Sequence, residues 1–210
     1  MERELLPGRG EGYYLPLVEQ FYTLQGEGFH TGKAAYFIRI GGCDIGCRWC
    51  DSKLSWSPDI HRLVPVQEIV ESVISTPAKA VVVTGGEPTL YNLDPLCDEL
   101  KKNGIETFIE TSGAYPLTGT WDWICLSPKR NVHPVDAIYA KASELKMIIY
   151  EDEDFEWAEE CAKRITNSCL KYLQPEWSRY RINIDPIVNY VKNHPEWMVS
   201  LQSHKFMKIP

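Results

Sequence analysis

No apolar run in this chain approaches the length that spans a bilayer, and the opening Met1-Glu2-Arg3-Glu4-Leu5 lacks the apolar core of a secretion signal. A cytosolic protein without a membrane partner is expected. Positive charge is scarce: 22 Lys and Arg stand against 29 Asp and Glu, a net charge of -7. The densest cationic run, Lys101-Lys102, falls on what reads as a solvated helix face, so the basic stripe that duplex binding needs is missing. No nucleic-acid partner is expected. No composition break divides the 210 residues, and 44% hydrophobic with 24% charged content is globular, so residues 1–210 read as a single domain. The paired Cys-x2-Cys or His-x3-His ligands of structural zinc do not recur along the chain. Seven cysteines, an odd number, fit a reducing compartment better than a disulfide framework.

What is present is concentrated in Gly41-Gly42-Cys43-Asp44-Ile45-Gly46-Cys47-Arg48-Trp49-Cys50-Asp51-Ser52. Cys43, Cys47 and Cys50 lie close together with short Gly-containing spacers, so the backbone can turn all three thiols toward one point. Soft thiolates suit iron and sulfide. Three thiolates on a four-iron cubane leave one iron open to a ligand. The alternative is a zinc knuckle that completes its set with Cys97, His61 or another side chain. Cys97, Cys125, Cys161 and Cys169 fall in periodic or apolar segments without mutual spacing, and core packing is expected of all four.

Along the chain, Met1 to Pro16 carries five Gly/Pro breakers and reads as a surface leader. Val18 to Tyr22 reads as a short strand, followed by Leu24-Gln25-Gly26-Glu27-Gly28, a close-approach loop and candidate substrate contact. Ala35 to Ile40 is a strand containing Arg39, which either forms a rim salt bridge or clamps a carboxylate with its guanidinium fork. Pro58 to Pro65 reads as loop, and Val66, Ile69, Val70, Val73 and Ile74 give the stripe of a packing helix. Ala80 to Thr84 is an apolar strand running into Gly85-Gly86-Glu87-Pro88, and a helix over Asp94 to Asn103 stops at Gly104. Further strands are expected at Glu106–Glu110, Trp123–Leu126, Leu145–Ile149 and Cys169–Leu173, with a helix at Phe155–Ile165. Ile184 to His194 reads as a helix, Met198 to Leu201 as a strand, and 202–210 as a tail closing the substrate site. Apolar strand, polar or Gly-rich end, then helix or loop recurs about six times, which is the pattern of parallel β/α units. Ligands in such folds bind at the carboxyl ends of the strands, where every polar cluster falls. The chain is shorter than the roughly 250 residues of a full barrel. A partial, open TIM-type barrel of about six strands is expected.

The Cys-x3-Cys-x2-Cys spacing with Trp49 before its last cysteine resembles the signature of radical S-adenosylmethionine (SAM) enzymes, and Gly-Gly-Glu-Pro at 85–88 is similar to the SAM-amino motif of that superfamily. The loop 24–28, Cys-Asp-Ser at 50–52 and the ending Gln202 to Pro210 resemble the 7-carboxy-7-deazaguanine synthase family within it. That resemblance implies a [4Fe-4S] cluster on Cys43, Cys47 and Cys50, and SAM held by Trp49, Gly86, Glu87, Ser112, Ser127, Pro128, Lys129 and Gln174. It implies that Leu24, Gln25, Gly26, Glu27, Arg39, Thr84, His204 and the carboxylate of Pro210 contact a pterin, 6-carboxy-5,6,7,8-tetrahydropterin. It further implies Mg2+ on the hydroxyl of Ser52, where Thr is more usual, a one-electron donor such as flavodoxin, and a homodimer. The implied reaction is a ring contraction in 7-deazapurine (queuosine-type) biosynthesis: hydrogen abstraction from substrate C6 by the deoxyadenosyl radical, then loss of ammonia. An alternative within the superfamily is a glycyl-radical-enzyme activase.

Overall fold

The computed structural model describes residues 10–210. Residues 1–9 of the expected leader lie outside the described residues. Strand β1 (Tyr14–Leu24) runs antiparallel to β2 (Ala34–Ile40), and β3 (Arg62–Pro65) pairs antiparallel with the start of β1. From β2 onward the sheet is parallel through β4 (Ala80–Gly85), β5 (Glu106–Thr111), β6 (Trp123–Leu126), β7 (Glu144–Ile149), β8 (Leu170–Pro175) and the short β9 (Trp197–Val199). The order β3-β1-β2-β4-β5-β6-β7-β8-β9 has two free ends, so the barrel is open, as expected. Helices α1 (Val66–Ile74), α2 (Asp94–Lys102), α3 (Asp136–Tyr139), α4 (Glu153–Ala162) and α5 (Tyr180–Asn193) connect the parallel strands, and α6 (Ser203–Met207) lies in the tail. Among the described residues no helix is long and apolar enough to cross a membrane.

Period-two alternation explains how these strands divide their side chains. On β4, Val81 and Val83 join Ile38, Ile109, the α1 residues Ile69, Val70 and Val73, and the α2 residues Leu96 and Leu100 in one outer core. Complete burial of such a side chain contributes about 1.5–3 kcal/mol, so the four buried positions of α1 suffice to hold that helix on the sheet. A second outer core gathers Leu126, Leu145, Met147 and Leu173 with Cys161, Ile187 and Trp197. The opposite phase turns inward, where Ala35, Ala80, Val82 and Phe108 fill the amino-terminal end of the barrel with Phe37 and Trp123. The segment after β1 threads into that end. Phe29 stacks on Trp123 at 4.8 Å and His30 on Phe108 at 4.3 Å, plugging the barrel from below. Cys97, Cys125, Cys161 and Cys169 are buried free thiols, in keeping with core packing, and burial pushes the Cys97 and Cys169 thiols up to about 12.

Four expectations need correction. Tyr14 to Pro16 is strand, not leader: Leu15 is buried and pairs with Val64, while Pro16 sits before the β1–β2 ladder begins and so costs it no donor. Consequently Arg62 to Pro65 is strand as well, too short to show a period on its own. Strand β8 continues through Gln174 and Pro175 because Gln174 faces the barrel interior, where it is hydrogen-bonded. The tail contains α6, closed by Lys208 in the left-handed region at φ 57°.

Candidate active site

The carboxyl ends of the parallel strands surround one cavity of about 260 Å³, and Cys43, Cys47 and Cys50 all line it. Their loop is held by backbone bonds on both sides. Gly42 N donates to Ser55 O (2.7 Å) and Cys43 N to Trp56 O (3.0 Å), while Glu87 N donates to Gly42 O (2.8 Å). Gly86 packs so closely on this loop that a Cβ there would lie 2.2 Å from Gly42 O, which explains why the turn after β4 carries glycine. Burial pushes the Cys43 thiol up to about 11 and raises that of Cys47, against the pull of the Lys129 ammonium on the latter. Trp56 Nε1 (3.3 Å) and Ser52 N (3.4 Å) both point at Cys50 Sγ, as donors around a metal-bound thiolate do. Three thiols on one cavity wall with N–H donors beside them fit an iron–sulfur cluster, which takes one thiolate per iron. Among the described residues no three His, Cys, Asp or Glu side chains gather as a single-ion site requires, and His61 instead contacts Leu54 O at 2.8 Å.

Glu87 lines the cavity, and its carboxylate is clasped by the chain's own donors. One oxygen accepts from Thr89 N (3.1 Å), Thr89 Oγ1 (2.7 Å) and Thr111 Oγ1; the other accepts from Ser112 N (2.8 Å) and Ser112 Oγ. Five donors saturate a carboxylate that is 1% exposed. Its work is to bind the turn after β4 to the end of β5. On the next wall, Lys129 donates to Ser127 Oγ at 2.7 Å and stands 5.7 Å over the Trp49 ring. Burial lowers the Lys129 ammonium, partly offset by Cys47. Pro128 is buried outside the cavity.

The inward positions of the strands that lie higher than the aromatic plug are polar, and they build the floor. Arg39 faces the cavity and its Nε pairs with Glu19 at 2.7 Å, so the rim salt bridge exists and the rest of the fork still borders the site. Lys146 bonds Glu27 and, at 3.3 Å, Glu110; Gln25 Nε2 reaches the other oxygen of Glu110 (2.9 Å), and Gln202 Nε2 the other oxygen of Glu27 (2.8 Å). Burial alone would raise Glu27, but the Lys146 charge and the bonds from Lys146, Gln174 and Gln202 hold it at about 2. Burial likewise pulls Lys146 down, yet its neighbours lift it well above the ordinary lysine range. Burial keeps the Cys125 thiol protonated, so the carboxylates are what lift it. Gln174 Oε1 accepts from Ser200 Oγ (2.6 Å), which in turn accepts from Gly28 N (2.9 Å).

The tail forms the remaining wall. Ser203 N and Oγ both donate to Gly26 O at 2.9 Å, and a Cβ on Gly26 would lie 2.2 Å from His204 Nδ1. Thr23 Oγ1 approaches Pro210 O at 3.4 Å. Burial lowers the His204 imidazole against the raising charges of Glu27, Asp51 and Glu110. The structure thus brings Leu24, Gln25, Gly26, Glu27, Thr84, His204 and Pro210 to the same cavity as the cysteines and Ser52. Sequence reasoning missed Glu110, Lys146 and Gln202 as site residues. The signal was available for Lys146: in Glu144-Leu145-Lys146-Met147-Ile148 the inward phase is the charged one.

A model of the radical SAM superfamily matches residues 37–168. Among curated proteins, the 7-carboxy-7-deazaguanine synthase of Flavobacterium psychrophilum is 52% identical over 200 residues, covering 95% of each chain. The protein of the same name from Synechocystis sp. is 47% identical, covering 92% of this chain and 93% of its own. The crystal structure of QueE from Escherichia coli superposes with a TM-score of 0.79 at 30% identity, over 91% of this chain and 95% of that one.

Proposed function

Because the chain belongs to the radical SAM superfamily and, within it, to the 7-carboxy-7-deazaguanine synthase family, we propose that it contracts 6-carboxy-5,6,7,8-tetrahydropterin to 7-carboxy-7-deazaguanine with loss of ammonia. It is a radical SAM enzyme of deazapurine biosynthesis, and the glycyl-radical activase alternative is set aside by relatives that match over nearly the whole chain. The observation that carries the substrate is that one cavity joins the cysteine loop to a floor of carboxylate acceptors, Glu27 and Glu110, suited to the N–H-rich edge of a pterin.

Cys43, Cys47 and Cys50 would hold the [4Fe-4S] cluster, and Trp49, Gly86, Ser112, Ser127, Lys129 and Gln174 would border SAM. When bound, these groups supply a one-electron cleavage that no amino-acid side chain can perform. The chain's own residues position and shield. Glu87 fixes the backbone of Gly86 against the cysteine loop, and Arg39 is placed to bind the substrate carboxylate with its fork. Leu24, Gln25, Gly26, Glu27, Thr84, His204 and Pro210 enclose the ring and exclude water from it. An oxygen on Ser52 suits a hard cation, so Mg2+ is assigned to that hydroxyl together with substrate oxygens. A cytosolic homodimer reduced by a carrier such as flavodoxin completes the proposal.

The test is anaerobic reconstitution with iron and sulfide, then incubation with SAM, dithionite, Mg2+ and the pterin, following product by mass. Product that disappears in a Cys47→Ala variant is expected. A brown protein that cleaves SAM without making the deazaguanine would overturn the substrate, and a colourless zinc protein would overturn the cluster as well.

A further inference from the structure

We propose that Lys146 is a positioning residue for the pterin: it ties Glu27 and Glu110 together at fixed separation, so that the pair reads the donor edge of the ring. The inference rests on the functional reading above and extends it to a residue argued to act through its two carboxylate partners. Lys146 is on β7, with its side chain 4% exposed, at the cavity floor. The two acids reach it from separate elements, Glu27 from the segment after β1 and Glu110 from β5. Each spends one oxygen on Lys146 and the other on an amide, Gln202 for Glu27 and Gln25 for Glu110. A carboxylate offers about four lone-pair directions, so both keep acceptor capacity on the side that borders the cavity.

Desolvation penalises the charge on Glu27, and the Lys146 ammonium is the largest influence opposing it. Other groups face the triad: Glu144 from β7 itself, the Cys125 thiol from β6, Lys129 after β6, Gln174 from β8, and Asp51, His204 and Lys205 at the rim. Lys205 is engaged with Asp51 at 3.0 Å and Lys129 with Ser127, so neither replaces the Lys146 ammonium between the acids. A ring with adjacent N–H donors needs two acceptors in register. Lys146 supplies that register electrostatically.

The experiment compares Lys146→Met and Lys146→Arg with the wild-type holoenzyme. The Met variant should raise KM for the pterin about tenfold to hundredfold with kcat changed less than about threefold, and SAM binding should be preserved. Its kcat/KM should fall from pH 8 to pH 6 as Glu27, left with its desolvation and without the Lys146 charge, takes up a proton, a limb absent from the wild type. Its thermal midpoint should rise over the same interval, because an acid whose folded pKa lies above its unfolded value stabilises the fold below that pKa. Lys146→Arg should restore the flat profile even where KM stays raised. A Met variant with KM within twofold of wild type, with a wild-type pH profile, or with kcat reduced at unchanged KM would overturn the inference. Should Lys146→Met fail to fold, the Arg variant decides, since an acid limb there contradicts a role for the charge. Wild-type protein that makes no deazaguanine would overturn the functional reading instead, and the pH dependence of unfolding would still decide whether Lys146 holds the Glu27 charge.

Discussion

Replacing Glu87 by Gln keeps the shape of the side chain and removes its charge, at a place where five donors converge on the two oxygens. The amide can keep one oxygen toward Thr89 and Thr111. Its NH2 must then face Ser112 N, which cannot turn away because it is backbone. One charge-assisted bond is lost, at about 1.5–3 kcal/mol, and a buried N–H is left without an acceptor, at about 1–3 kcal/mol more. The three remaining bonds weaken with the loss of charge. A total near 3–5 kcal/mol is expected, and in a chain of this size each kcal/mol shifts the midpoint by about 2–4 °C. The thermal midpoint of the cluster-free protein, read by circular dichroism, should therefore fall by about 10 °C. Because the turn after β4 also holds Gly42 through Glu87 N, iron uptake on reconstitution should fall in parallel. A midpoint within about 2 °C of wild type would refute the idea that this carboxylate is a structural clasp.

Further outcomes follow from the same geometry. Gly26→Ala, whose Cβ would strike the His204 ring, should displace the tail and raise KM for the pterin at least about tenfold while SAM cleavage in its absence is retained, as separate assays of product and 5′-deoxyadenosine would show. Ser52→Ala should abolish the response of turnover to added Mg2+, and Ser52→Thr should keep it; a Mg2+ titration of the Ala variant that matches wild type would contradict the assignment. Glu27, held at about 2, contributes stability that is complete above its unfolded pKa near 4.5 and is lost as pH falls toward 2. The wild-type midpoint should accordingly show no loss from this group between pH 8 and pH 6 and a decline below pH 4.5, checked by unfolding across that range.

The parallel β/α architecture was legible because each strand is an apolar run closed by a polar or Gly-rich end, and because Trp123 to Leu126 and Val66 to Ile74 announce themselves by composition and period. The cysteine loop was equally plain, since ligand spacing is local. What stayed hidden depends on contacts across the chain. Strand β3 has a single buried residue, Val64, and exists only because β1 offers a partner. Glu110 read as one end of a strand, and Lys146 passed as an interior residue of the strand expected over Leu145–Ile149. Their role emerges only when the sheet curls and brings β5 and β7 toward the segment after β1. The clasp on Glu87 was hidden in the same way: its motif is local, but the donors that hold its carboxylate are Thr89, Thr111 and Ser112, two of which come from another strand end.

The most direct measurement uses pterin substrate carrying deuterium at C6, turned over by reconstituted protein, with mass analysis of the 5′-deoxyadenosine released. If the cavity holds SAM and pterin side by side, deuterium should appear in 5′-deoxyadenosine in step with deazaguanine formed, and both should vanish in the Cys47→Ala variant. Undeuterated 5′-deoxyadenosine released alongside the deazaguanine formed would contradict the account.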